Sequence, residues 1–181
     1  MSVGFKEWAL VCEVLGAGRQ SVILRKGGIA EGRAGFRFEH PDFLLVPTLF
    51  HEQVSKLKLP PETRLPQQTS GQHEIRFRVQ VEWTRELTDW EQIQRLDRFH
   101  LWSEQTLRDR FLYDGKEAVN FAFVRVYKLS KPFVFPDAPK YSGCRSWVEL
   151  PDVPEGTVFE PVLNEKTHRQ CESELLSIFE R

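Results

Sequence analysis

The chain has 181 residues, of which 40% are hydrophobic and 28% charged, and a formal net charge of −1. That length suits one domain with an appended tail, and 14 Phe with 5 Trp supply ring volume for a sizeable core. The near-neutral balance argues against a protein that coats nucleic acid indiscriminately, since such proteins are strongly basic, but it leaves room for a local basic patch.

Phe5, Trp8, Val11, Cys12 and Leu15 share one helical face, which Gly16 and Gly18 would stop; a strand over 8–15 is the rival reading. Residues 21–25 read as a short buried strand and 26–35 as a glycine-bearing loop. Residues 36–40 alternate, 42–46 form a strand that Pro47 ends, and 51–58 suit a short helix. Residues 59–72, rich in Pro and Gln, are predicted to be a mobile loop.

The clearest strand is 74–84, where Ile75, Phe77, Val79, Val81 and Trp83 alternate with polar residues. Thr88-Asp89-Trp90-Glu91 has the form of a capping box and opens a helix to about Phe111. Residues 119–127 are apolar on both faces and suit a central strand, which Lys131-Pro132 would break. A last strand lies around Trp147, residues 152–156 form a linker, and Asn164 caps a final helix. This order predicts an α+β domain over 1–150, built as a compact, partly open β-barrel with flanking helices. Residues 151–181 would be a linker and helix packed on it.

Two basic, glycine-containing stretches carry the functional reading. In Arg25-Lys26-Gly27-Gly28 two cations leave a strand beside backbone amides that glycines free for close approach, which suits phosphate. In the second, Gly143-Cys144-Arg145, Arg145 would complete an anion site while Tyr141 and Trp147 offer stacking rings. Arg95, Arg98, Phe99 and Trp102 share a face of the 88–111 helix; aromatic stripes of this kind more often pack in a core than stack on bases. Glu39, His40 and His51 are the hydrolytic candidates and, with Glu52, the best metal-binding candidates, but no HExxH frame holds them. There is no Walker, dinucleotide or GxSxG motif, so no cofactor or metal is expected. Cys12, Cys144 and Cys171 are scattered without a CxxC pair, and neither an N-terminal apolar segment nor an apolar run of about 18 residues appears in the sequence. The expected setting is a reduced cytoplasm.

Two resemblances meet at these residues. Glu7-Trp8-Ala9, Leu24-Arg25-Lys26-Gly27-Gly28-Ile29-x-Glu31, Phe38-Glu39-His40, Phe43-x-Leu45-x-Pro47-Thr48, His51 and Tyr141-x-Gly143-Cys144-x-Ser146-Trp147 resemble a bacterial family known as domain of unknown function 1802. More distantly, the chain looks like the ASCH group of PUA-like β-barrels. That group has Gly-x-Lys-x-x-Glu-x-Arg near its start, and Lys-Pro, Gly and Trp late in the domain. Gly18, Arg25, Lys131-Pro132, Gly143 and Trp147 follow that order, whereas Gln20 and Ile23 stand where Lys and Glu are usual. The resemblance implies a cleft for RNA, DNA or a modified base, with Gly18 and Arg25 at its mouth. The missing Lys and Glu count against the hydrolytic chemistry of some relatives. The leading expectation is therefore a nucleic-acid or modified-nucleobase binding domain. A hydrolase using Glu39, His40 and His51, or a protein-interaction scaffold, is the alternative.

Overall fold

A computed structural model describes residues 1–26, 35–49 and 51–180. Strands β1 (Ser2–Trp8), β2 (Val22–Arg25), β3 (Asp42–Thr48), β4 (Gln72–Leu87), β5 (Val119–Pro136) and β6 (Trp147–Leu150) form one sheet in the order β2-β5-β4-β3-β1-β6, and β7 (Phe159–Pro161) pairs with β5. Among the described residues five α-helices flank it: α1 (Ala9–Gly16), α2 (Gln53–Lys56), α3 (Trp90–Arg95), α4 (Glu104–Leu112) and α5 (Glu165–Phe179). The fold is α+β. The seven-stranded sheet is open, not closed into a barrel. Its ladders are antiparallel except β1 with β3.

Alternation along β3 divides the interior in two. Phe43 and Leu45 enter the main core, which also holds Phe5, Leu15, Trp102, Phe121 and Phe123. Leu44 and Val46 point the other way, into a smaller core with Ile75, Phe133, Phe135 and Tyr141. In β4, Ile75 joins the small core while Phe77 and Val79 join the main one, because a ladder irregularity between Ile75 and Phe77 re-aims the strand.

The expected break at Lys131-Pro132 is absorbed there as well. Ile75 pairs with Phe133 and Phe77 with Lys128, so Pro132 falls in the interrupted register and β5 runs on to Pro136. A proline, lacking an N–H, is tolerated where the ladder asks for no donor.

Two helical expectations are corrected. Residues 5–8 belong to β1, because β3 and β6 occupy both of its edges, and only the second half of the 5–15 segment is helical. The helix expected over 88–111 is split. Asp89 caps α3 by accepting from the Glu91 N–H at 2.9 Å, and Ser103 caps α4 by accepting from the Thr106 N–H at 3.3 Å. Between them the chain is extended at His100, Trp102 bridges to Leu57, and the Gln20 side chain accepts from the Leu101 N–H at 3.1 Å. Phe99 and Trp102 are core residues, and Arg98 pairs with Glu174 at 3.1 Å.

At the start of α1, two side chains satisfy backbone N–H groups: Glu7 accepts from Trp8 at 2.7 Å and Gln53 from Leu10 at 3.2 Å. The helix ends against β4. A Cβ on Gly16 would lie 2.0–2.5 Å from the Phe77 ring. Gly16→Ala is therefore expected to cost about 1–3 kcal/mol by overpacking, measured by urea denaturation. A change under about 0.5 kcal/mol would mean the ring yields freely.

The tail helix α5 is capped as expected, Asn164 accepting from the Thr167 N–H at 2.9 Å. It buries Leu175 and is tied to the sheet by Arg125–Glu165 at 2.6 Å and by the Trp83 indole N–H to Glu172 at 3.1 Å.

Candidate functional site

Strand register assembles the cationic end of the sheet. Arg25, last in β2, lies opposite Asn120 of β5, and Asn120 lies opposite Glu86 of β4. Lys26, the last turns of β4 and the approach to β5 therefore collect in one place.

Two cavities open there, with Lys26 in the wall of both. The larger, about 460 Å³, is lined by Lys26, Arg37, Arg85 and Lys116 with Glu86 and the Phe36 and Phe38 rings. The smaller, about 270 Å³, is lined by Arg25, Lys26, Lys56 and Arg110 with Trp8, Thr106, Asp109 and Tyr113. Together they present seven cations against two carboxylates, in a chain whose net charge is −1. Lys26 is fixed between them, its ammonium donating to the carbonyls of Lys116 and, at 2.9 Å, Ala118.

Behind the smaller cavity lies a carboxylate that the sequence reading left without a role. Glu7 is fully buried; one oxygen accepts from the Trp8 N–H, and the other has no hydrogen-bond partner. An Arg25 nitrogen stands 3.9 Å from the oxygen that accepts from Trp8. The same guanidinium donates to the Ser146 hydroxyl at 3.0 Å and lies 5.4 Å from the centre of the Phe5 ring, while its Nε is buried without a partner.

Arg110 sits 3.6 Å over the Trp102 ring and 5.3 Å over Trp8, and donates to the Leu24 carbonyl at 3.2 Å. Burial pulls its pKa down to about 10; Glu7 opposes this and Arg25 reinforces it. This arrangement can bind anions and orient them against rings.

The residues singled out from the sequence divide. Arg25 and Lys26 are at this site. Ser146 brings the late motif to Arg25, and β1 pairs Phe5 with Trp147, so the two ends of the chain do meet. Trp147 is half-buried among Phe5, Phe36, His40 and Phe43, and Arg145 is exposed beside it in sequence. Gly27 and Gly28 lie outside the described residues.

Two residues are placed elsewhere. Gly18 closes the C-terminal end of α1 with a left-handed φ of 68°, and a Cβ there would meet Leu163 at 2.7 Å, so it serves helix termination and tail packing. Tyr141 is buried against Phe135 and His73 in the small core, which leaves it no open face for stacking.

Glu39 and His51 are exposed, and His40 packs edge-on against Trp147. Among the described residues no three His, Cys, Asp or Glu side chains gather closely enough to hold a metal. None of these helices is long and apolar enough to cross a membrane.

Arg110 escaped the sequence reading, and Glu7 entered it only within a resemblance motif and without a role, though each carried a signal. Arg110 is one turn from the buried Thr106 and Leu107 of α4, a cation on an inward helical face. Glu7 is a carboxylate within an apolar run.

The family model described as Domain of unknown function (DUF1802) matches residues 4–174. The chain belongs to this family. DUF1802 is one of the two resemblances that the motifs carried. An ASCH protein from Zymomonas mobilis is similar at 14% identity, covering 94% of this chain and 93% of its own, with a TM-score of 0.45. A serine-to-alanine variant of it is similar at 13% identity, covering 94% of both chains, with a TM-score of 0.46. Among curated proteins none matches this DUF1802 chain.

Proposed function

We propose that this DUF1802 chain is a nucleic-acid-binding domain, taking RNA, DNA or a modified base, whose contact surface is the sheet end around Lys26. The observation that carries the reading is the pair of adjoining cavities, with seven cations against two carboxylates in a chain of net charge −1. A basic patch on a near-neutral protein restricts electrostatic attraction to one face, so a polyanion meets the protein in a defined place. Trp8 and Tyr113 in the wall of the smaller cavity give a base or sugar something flat to rest on. Residues 1–150 would form the binding unit, with 151–181 as its packed tail.

Fluorescence anisotropy with labelled single- and double-stranded RNA and DNA over a salt series tests this. Binding should weaken with salt, by about 0.7–0.9 in log–log slope for each phosphate engaged. The exposed pair Arg85→Glu/Lys116→Glu should lower affinity at least about tenfold and flatten the slope, with thermal stability little changed, since the Lys116–Glu86 pair is exposed. Absence of binding at low salt to every nucleic acid would overturn the reading.

A further inference from the structure

We propose that the larger cavity takes one unpaired nucleobase, whose hydrogen-bonding edge is read by the side-chain amide of Asn120 while Arg37 and Arg85 hold the neighbouring phosphates. This rests on the nucleic-acid reading and adds to it the residue that sets base preference and a preference for single strands.

Asn120 is out of place by residue type. It is the one polar residue in the run 119–124 of β5, and asparagine is disfavoured inside strands. Arg25 of β2 and Glu86 of β4 lie opposite it, so its backbone is held by ladders on both sides. The side chain is half-buried and lines the cavity of about 460 Å³. Among the described residues its amide has no hydrogen-bond partner. A half-buried amide without a partner costs free energy that a ligand of matching donors and acceptors recovers.

The chemistry of that amide points to a base. It presents an NH2 donor beside a carbonyl acceptor. Base edges carry the same two kinds of group in an order that differs from base to base, so a bidentate pair with Asn120 discriminates where phosphate contacts cannot. The cavity volume is in the range of pockets that enclose small molecules, about 300–1,000 Å³. A base reaches such a recess only when it is splayed out of its stack, as in single strands. Phe38, half-buried in the wall, offers it a ring.

The cations suit this placement. Lys116 pairs with Glu86, and Lys26 is held by backbone carbonyls. Arg37 and Arg85 line the same cavity, are exposed, and have no carboxylate partner among the described residues; Arg85 rests 4.7 Å from the centre of the Phe179 ring. Both are therefore open to phosphates on either side of the base.

Fluorescence anisotropy of the full chain at fixed salt tests the proposal. The probes are labelled short oligo(A), oligo(C) and oligo(U), an oligo(U) with interspersed G, and the oligo(A)·oligo(U) duplex. One single strand should bind at least about fivefold tighter than the other three and tighter than the duplex. Asn120→Ala should erase that preference and leave the salt slope unchanged, because no phosphate contact is lost. Arg37→Ala/Arg85→Ala should weaken all four strands, flatten the slope and keep the preference. If Asn120→Ala does not fold, Asn120→Asp keeps the shape without the amide donor and should change which strand is preferred. Equal binding of the four strands, or a preference that survives substitution of Asn120, overturns base reading and leaves the nucleic-acid reading standing. A duplex bound as tightly as the preferred strand overturns the unpaired base, and binding of no probe at low salt overturns both readings.

Discussion

Trp102→Ala is expected to cost about 3–5 kcal/mol, a large part of the roughly 5–15 kcal/mol by which a domain of this kind is stable. Trp102 is almost completely buried, and it meets Trp8 edge-on with ring centroids 4.7 Å apart. Deleting it leaves a ring-sized void where α3 and α4 are joined, and surroundings this densely packed cannot collapse to fill it. The same ring lies 3.6 Å from the Arg110 guanidinium, so the substitution also frees that side chain from its fixed place.

Chemical denaturation should show the full loss for Trp102→Ala and a smaller one for Trp102→Phe, which keeps a ring under Arg110. In conditions where Trp102→Ala is still folded, its affinity for nucleic acid should fall further than that of Trp102→Phe. A loss below about 1 kcal/mol would show that the ring does not hold this part of the core.

Acidification between about pH 6.5 and pH 4 is expected to remove about 3 kcal/mol of stability through one residue, His100. The side chain is buried, and its ring nitrogens have no more than a poorly formed contact with the Trp102 backbone. Burial is the main reason its pKa falls from 6.5 to about 4; Lys58 adds to the shift and Asp97 opposes it.

The sign follows from which state binds the proton. The unfolded chain takes it up near pH 6.5 and the folded chain resists until about pH 4, so stability is complete above pH 6.5 and declines as pH falls through that window. Glu165 acts lower. Hydrogen bonds from Arg169 and then Arg125 hold its pKa near 2 against a usual 4.5, so its contribution begins to be lost only below about pH 4.5. His100→Leu should flatten the upper limb of a stability–pH curve, leave the lower limb, and keep or raise stability at neutral pH, since it replaces an unsatisfied polar ring with an apolar side chain. An unchanged curve between pH 6.5 and 4 would refute the assignment.

Much of the local structure was legible in the sequence. The alternation of Ile75, Phe77, Val79, Val81 and Trp83 is a strand, and Asn164 caps the last helix. Asp89 and Ser103 are both cap residues by type, yet only Asp89 lay near an expected helix start. The helix over 88–111 was overextended because its apolar spacing continues through Phe99 and Trp102. What interrupts it is a pairing with Leu57 and a hydrogen bond from the Leu101 N–H to the Gln20 side chain, neither visible from within the segment. Likewise β1 reads as helical by spacing and is a strand because of its two neighbours in the sheet.

The functional site shows the same division. Arg25 and Lys26 stood out because cations beside glycines are a local pattern, but Gly18, in the same early stretch, turned out to serve helix termination and tail packing. Tyr141 and Trp147 lie six residues apart and enter different cores, since one follows a turn into the small core and the other begins a strand against β1. Arg110 could be noticed only as a charge in apolar surroundings, and Glu7 only as that or as part of a resemblance motif. Their meeting with Arg25 depends on how α4 and β1 pack around the end of β2.

By itself the sequence determined the α+β class, the strands with strict alternation, the helix caps and the existence of a basic corner at Arg25-Lys26. These follow from residues within a few positions of one another, where periodicity and side-chain-to-backbone hydrogen bonds act. Only the tertiary structure decided that the sheet stays open, that Arg25 reaches Ser146 across 121 residues of chain, and that Lys26 stands between two cationic cavities. Such contacts are selected by the burial of whole faces and by strand register, quantities that no short window of sequence contains.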